Sequence, residues 1–165
     1  MILGLSLGAF TTLHTAISLL AIAAGVVVLV LLIVGRMARV VTMLYLATSI
    51  LTDITGFMFY KGSFGPPYVV GVISLLVLLL ACYALYGAKL AGGWRGTWVV
   101  TAVIGLYLNV FVLVVQAFGK LPALHALAPK GSEPPFAIAQ GVTLLVLVAL
   151  GWLAFRRFRL TPAQA

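Results

Sequence analysis

Residues 25–34 read Gly-Val-Val-Val-Leu-Val-Leu-Leu-Ile-Val, and this unbroken apolar run decides the fold class. The run lacks the alternation of apolar and polar residues that a strand of a membrane barrel requires. In lipid each backbone polar group needs a protein partner, and a helix supplies that partner within its own segment. The run therefore predicts a membrane-spanning helix.

Apolar stretches of similar length account for most of the chain. Each has about the 20 residues that are needed to cross the hydrocarbon core of a bilayer. The 165 residues are 64% hydrophobic and 7% charged, which lies outside the range of soluble domains. We therefore predict an all-α, polytopic membrane helix bundle that forms a single integral membrane domain over residues 1–165. The five predicted transmembrane helices are about 15–34, 40–60, 68–88, 97–117 and 136–155.

The basic residues predict the orientation of these helices. If the spans alternate in direction, Lys61, Lys120 and Lys130 lie on one side of the bundle, and the other seven basic residues lie on the opposite side. Positive charge accumulates in cytoplasmic loops, so the richer side should face the cytoplasm, with the N-terminus outside and the C-terminus inside. This bias accounts for the net charge of +8, and we expect no nucleic acid partner. The richer side carries Arg36, Arg39, Lys89, Arg95, Arg156, Arg157 and Arg159.

Polar residues concentrate in the outer half of the predicted bundle. At 1.5 Å per residue, six positions share a slab roughly 6–12 Å below the outer ends of the spans. The inner half offers only Tyr, Thr and Cys side chains between its boundaries. The predicted intramembrane polar layer consists of Ser18, Asp53, Ser74, Asn109, Gln140 and Thr143.

Helical spacing also places small and polar residues on one face of two spans. Steps of three or four residues keep side chains on the same side of a helix. We expect both stripes to face the bundle interior, where close packing and interhelical hydrogen bonds hold membrane helices together. The second span contributes Thr42, Tyr45, Ser49, Thr52, Gly56 and Tyr60, and the fourth contributes Thr97, Thr101, Gly105, Asn109 and Gln116.

Asp53 is the residue of this layer with the strongest claim to a function. An acid within a span costs a few kcal/mol to insert, which makes it a functional candidate by default. Two interpretations remain open for it: a structural partner for nearby hydroxyls, or a group that carries a proton or contacts a cation. Asn109 and Gln116 are interpreted either as interhelical hydrogen-bonding residues or as ligands.

Residues 118–135 form a longer outer loop that contributes to a predicted outer mouth above Asp53. Leucines at every third position predict a short helix over residues 122–128 that lies on the membrane surface. The mouth consists of His14, Gln116, Lys120, His125 and Glu133. The two histidines suggest the hypothesis of a haem- or quinone-linked redox protein, which ranks third after the two functional hypotheses given below. However, they lack the spacing of ligands on paired helices. No metal site, catalytic residue or cofactor is predicted.

Motifs of common enzyme classes are absent from the sequence. It contains no phosphate-binding loop, dinucleotide-binding glycine pattern, zinc motif or nucleophile elbow. The stretch 109–116, continuing into 121–129 and 133–136, resembles small, uncharacterised multi-span proteins of bacterial inner membranes. The resemblance implies that compartment and no activity.

Two functional hypotheses follow from these patterns. The first is a non-enzymatic membrane protein that contacts lipids and other subunits, or copies of itself, as a subunit or accessory factor of a larger inner-membrane complex. The second is a small outward-facing transporter, channel or ligand-binding protein that uses Asp53 and Asn109.

Overall fold

A computed structural model describes residues 1–59 and 65–159 of the chain. These residues are helical, with no strand among them beyond an isolated bridge between Ile2 and Leu5. Tyr60 and Lys61, assigned above to the second span and an outer loop, lie outside the described residues. The helices are α1 (Leu7–Ile33), α2 (Arg39–Phe57), α3 (Pro66–Cys82) with a π-helical turn (Tyr83–Gly87), α4 (Trp94–Lys120), α5 (Pro122–Leu127) and α6 (Pro134–Arg157).

Five of these helices are long and apolar enough to cross a membrane: α1, α2, α3 with its π-helical turn, α4 and α6. This confirms the predicted all-helical class and the number of apolar helices. Prolines open α3, α5 and α6, because a first-turn residue has no intrahelical partner for the N–H that proline lacks.

The first helix extends beyond the predicted span of about 15–34 toward the N-terminus, since α1 begins at Leu7. The Ser6 side chain accepts a hydrogen bond from the Ala9 N–H at 3.2 Å and caps the helix. Thr11 and Thr12 donate their hydroxyl hydrogens to carbonyls four residues back, which reduces the cost of polar residues here. His14 therefore lies about two turns inside the helix rather than at its edge.

The loop predicted over residues 118–135 is shorter than expected. Helix α4 continues to Lys120, so the Lys120 side chain projects from a helix. Helix α6 starts at Pro134 with Glu133 as its N-cap residue. What remains between the two helices is α5 and two short connections.

Contacts between helix ends show that consecutive long helices run in opposite directions. His14 near the start of α1 contacts Thr55 near the end of α2, and Arg95 at the start of α4 contacts Phe158 after the end of α6. Helix α4 packs against α1, α3 and α6, while α2 packs against α1 and α3. We call the end with α5 and the start of α1 the loop end, and the end with Ile33, Arg39 and Arg157 the arginine end.

Tyr45 of α2 lies at the centre of the bundle. Its side chain is fully buried, and its hydroxyl donates a hydrogen bond to the Ala102 carbonyl oxygen of α4 at 2.7 Å. A Cβ on Gly25 would lie 2.8 Å from the Tyr45 ring, and a Cβ on Gly105 would lie 2.8 Å from its hydroxyl oxygen. The two glycines therefore leave the space that the tyrosine occupies.

Most of both predicted polar stripes faces this interior, but the prediction is wrong at Gln116. Thr42 and Ser49 of α2 are buried, as are Thr101 and Asn109 of α4, whereas Gln116 is exposed. Gln116 lies seven residues beyond Asn109 on nearly the same side of the helix, so its exposure reflects its position one turn before Lys120, the last residue of α4, rather than a rotation of the stripe.

Replacing Gly105 by Ala should destabilise the bundle by about 1–3 kcal/mol, since the added methyl group overlaps the Tyr45 hydroxyl. Gly141→Ala is the matched control, because nothing lies within 4 Å of a Cβ at that helical position. The measurement is the free energy of unfolding in detergent. Tyr45→Phe should recover much of the loss in the Gly105→Ala background, and equal stability of the two glycine variants would contradict the prediction.

Candidate functional site

Asp53 lies near the loop end of α2, on the side that faces α3. It is 9% exposed, and its Oδ2 atom is buried without a hydrogen-bond partner. Its polar neighbour is the hydroxyl of Ser74 on α3, which is 3% exposed and also has no hydrogen-bond partner. The two groups therefore lie side by side, but their geometry falls short of a hydrogen bond. A buried polar atom without a partner is rare and calls for an explanation.

One turn closer to the arginine end, the polar groups are fully paired. The Asn109 Nδ2 atom of α4 donates a hydrogen bond to the Ser49 Oγ atom of α2 at 3.0 Å. Ser49 also lies beside the Tyr45 hydroxyl, which is bonded to the Ala102 carbonyl oxygen. This row of donors and acceptors ties α2 to α4, which favours the structural interpretation of Asn109.

On the loop-end side of Asp53, α1 and α2 are joined by a histidine. The His14 Nδ1 atom lies 2.7 Å from the Thr55 Oγ1 atom, and the Thr55 hydroxyl donates its hydrogen to the Leu51 carbonyl oxygen. Because that hydrogen is already used, His14 must be the donor in this pair. The proton of a neutral His14 then sits on Nδ1, which leaves Nε2 as an acceptor.

Aromatic rings surround His14 at the loop end. The Phe59 ring lies 5.0 Å from the ring of the fully buried Phe10 and 5.2 Å from the His14 imidazole. Lys120 at the end of α4 is close enough for its charge to act on His14. At the predicted mouth, aromatic rings therefore pack around His14, and the charged Lys120 side chain lies nearby.

The remaining members of the predicted polar layer bond to backbone. Gln140 of α6 donates from Nε2 to the Phe111 carbonyl oxygen of α4 at 3.1 Å, while its buried Oε1 atom has no partner. The Ser18 and Thr143 hydroxyls donate to carbonyls four residues back in their own helices. These two hydroxyls satisfy themselves locally, so their depth carries no functional information.

The other predicted mouth residues do not converge on Asp53. Gln116 and His125 are exposed, the latter on α5. Glu133 accepts hydrogen bonds from the Lys130 and Ser132 N–H groups, each at 3.0 Å, and so closes the turn before α6. Desolvation acts to raise the pKa of the Glu133 carboxyl, but the backbone N–H groups outweigh it and hold the pKa below its usual value. Glu133 therefore has a local structural partner.

Thr55 and Phe59 are contributors that sequence reasoning did not assign to the site. Thr55 lies off the predicted stripe, and Phe59 follows the end of α2. A spacing of three from Thr52 was the available signal for Thr55. The contact between Thr55 and His14 was not predicted from the sequence, because it depends on α1 beginning at Leu7.

Ser49→Ala and Ser74→Ala form a matched pair that tests this assignment of partners. The first removes the acceptor of the Asn109 amide and should lower the free energy of unfolding by about 1 kcal/mol. The second removes a hydroxyl whose geometry falls short of a hydrogen bond, so we expect a smaller loss. Unfolding in detergent measures both, and equal losses would show that the two serines have equivalent roles.

The site consists of the Asp53 carboxyl group, neighbouring serine hydroxyls, the Asn109 amide and the His14 imidazole. Among residues 1–59 and 65–159, no three His, Cys, Asp or Glu side chains are grouped so as to hold a metal ion. Comparison with known proteins gave no match to a family model, a curated protein or a solved structure. Function is therefore argued from the Asp53 site itself.

Proposed function

We propose that this chain is a multi-pass protein of a bacterial inner membrane that binds a proton or a small monovalent cation at Asp53 from the outer side. The loop end then faces outward and the arginine end faces the cytoplasm. The observation that supports this function is the pair of buried, unpartnered oxygens, Asp53 Oδ2 and Ser74 Oγ.

An ionised carboxyl group in this position is largely removed from water, and its Oδ2 atom has no hydrogen-bond partner. An uncompensated buried charge costs many kcal/mol, so the group either retains a proton or holds a cation. In the first state, Asp53 has a hydrogen to donate and the Ser74 hydroxyl is the adjacent acceptor. In the second, carboxylate and hydroxyl oxygens are the ligand type that small hard cations prefer. Whether a proton or a cation is bound at Asp53 therefore determines whether α2 and α3 are linked through Asp53 and Ser74.

The route from the outer surface to Asp53 is short. Asp53 lies four residues before Phe57, the last residue of α2, or about 6 Å along the helix axis. The His14 imidazole lies further out, hydrogen-bonded to Thr55, which follows Asp53 by two residues. Its Nε2 atom is an acceptor in this arrangement, so a proton entering from the loop end passes a group able to relay it.

Modification by a lipid-soluble carbodiimide tests this function. The reagent attacks protonated carboxyl groups in apolar surroundings, and Asp53 and Glu133 are the only side-chain carboxyls in the chain. We expect pH-dependent modification of Asp53 in proteoliposomes, measured by mass spectrometry of peptides. Protection by Na⁺ at constant pH would identify a cation, and insensitivity to Na⁺ would identify a proton.

Glu133→Gln is the matched control and should leave the modification of Asp53 unchanged, because Glu133 closes a turn outside the apolar spans. Asp53→Asn should abolish it. A wild-type protein in which Asp53 stays unmodified at every pH would contradict the proposal. In that case Asp53 is a structural partner of Ser74.

A second candidate function is that of a non-enzymatic subunit or accessory factor, and α3 supports it. Residues spaced three and four apart on this helix are exposed: Val69 by 52%, Leu76 by 62% and Leu79 by 52%. Val72 completes this seam of four, whose spacing matches the repeat by which one helix packs against another. Among the described residues, α3 packs chiefly on its other side, against α2 and α4.

A single cysteine at Leu76 tests this second function, in a Cys82→Ala background because Cys82 is the sole cysteine. We expect thiol cross-linking in native membranes to join Leu76→Cys to a second protein or a second copy. Leu145→Cys on α6, an equally lipid-accessible site at 70% exposure, should give no product. Absence of product from both variants would identify the α3 seam as a lipid-facing surface.

A further inference from the structure

An open groove lies at the arginine end, where the start of α4 meets the end of α6. Its volume is about 740 Å³, within the range of small-molecule sites. Three guanidinium groups and two aromatic rings surround it. The lining residues are Arg95, Trp152, Phe155, Arg156 and Arg159.

Within residues 1–59 and 65–159, these arginines have no acidic side chain beside them. Asp53 and Glu133 are its only acidic residues, and both belong to the loop-end half of the molecule. Glu133 precedes the 24-residue helix α6, whose far end forms the groove, and 24 residues extend about 36 Å. No acidic side chain of the protein therefore neutralises the groove, which leaves its guanidinium groups available to an external anion.

Arg95 is held in place before any anion arrives. It donates hydrogen bonds from one nitrogen, Nη1, to the Phe155 carbonyl oxygen at 3.2 Å and to the Phe158 carbonyl oxygen. These bonds cap the last turn of α6 and involve only one of the three guanidinium nitrogens. A fixed guanidinium loses little side-chain entropy on binding an oxyanion, because it is already oriented.

The aromatic residues give the groove a membrane-facing wall. The Arg156 guanidinium carbon lies 4.8 Å from the centre of the Trp152 ring, and the Arg95 guanidinium carbon lies 5.4 Å from that of Phe155. Tryptophan at a span end sits at headgroup depth in a bilayer. The groove is therefore positioned where lipid phosphates lie.

An apolar stripe on α6 leads directly into this wall. Leu145 and Val148 are 70% and 58% exposed, and they continue at helical spacing to Trp152 and then Arg156. The surface thus combines an apolar track with a cationic end, which matches the acyl chain and headgroup of a lipid.

We propose that the groove binds the phosphate group of an anionic membrane lipid, with the acyl chains along the Leu145–Val148 face of α6. A bidentate guanidinium contact with phosphate accounts for the arginine-rich lining. Basic pockets at the cytoplasmic ends of membrane helices are suited to such headgroups. The site is separate from Asp53 and does not depend on the function proposed for it.

Native mass spectrometry of the detergent-purified full chain, titrated with phosphatidylglycerol, tests the proposal. The wild type should bind phosphatidylglycerol in preference to phosphatidylcholine. The double variant Arg156→Gln/Arg159→Gln should bind it about 25-fold more weakly, since each basic residue at a lipid surface contributes roughly a factor of five. Arg95 is left intact because it also caps α6.

Arg36→Gln/Arg39→Gln is the matched control, as it removes the same charge at the same end from residues that do not line the groove. Its affinity for phosphatidylglycerol should equal that of the wild type. Equal weakening in both double variants would overturn the proposal in favour of diffuse surface charge. Competition by millimolar inorganic phosphate would overturn it in favour of a soluble phosphate ligand.

Discussion

The hydrogen bond from Tyr45 to the Ala102 carbonyl oxygen is the interaction on which the rest of the bundle depends. It places a polar aromatic side chain between Gly25 and Gly105, where a methyl group on either glycine would overlap it. Because lipid offers helices no hydrophobic gain from association, close packing and buried hydrogen bonds must hold them together. The position of α2 relative to α1 and α4 follows from this one side chain.

That position also sets the environment of the candidate site. Ser49 lies one turn beyond Tyr45 and is bonded to Asn109, and Asp53 lies one turn further, beside Ser74. Helix α2 therefore carries one level at which the buried polar groups are hydrogen-bonded, at Ser49, and one at which they are not, at Asp53. A satisfied level stabilises the fold, whereas an unpartnered acid is retained at a cost in stability. This contrast is the physical basis for assigning structure to Asn109 and ligand binding to Asp53.

The two ends of the molecule have opposite chemistry. The loop end carries Glu133, whose charge is taken up by backbone N–H groups, and a cluster of rings around His14. The arginine end has guanidinium groups and no acid. The first arrangement suits access of a small ion to Asp53, and the second suits attachment to anionic lipid. Each proposal therefore rests on a different end of the bundle.

Much of this architecture could be predicted from residue types alone. Hydropathy determined the helical class and the five apolar helices, because unbroken apolar runs of membrane length are compatible with little else. Helical spacing identified the buried faces around Tyr45 and Asn109, since a fixed number of residues per turn aligns them. The extension of α1 to Leu7 was left open by the sequence and lies in turns where threonines bond their own backbone.

What the sequence by itself determined is which residues are apolar, which are charged and which share a helix face. Only the tertiary structure decided their partners: Ser49 for Asn109, Thr55 for His14 and two backbone carbonyls for Arg95. It also left Asp53 and Ser74 adjacent but unpaired. The physical reason is that hydrogen bonds between helices depend on axial register and rotation, and these are set by packing at small residues such as Gly25 and Gly105 rather than by any local pattern.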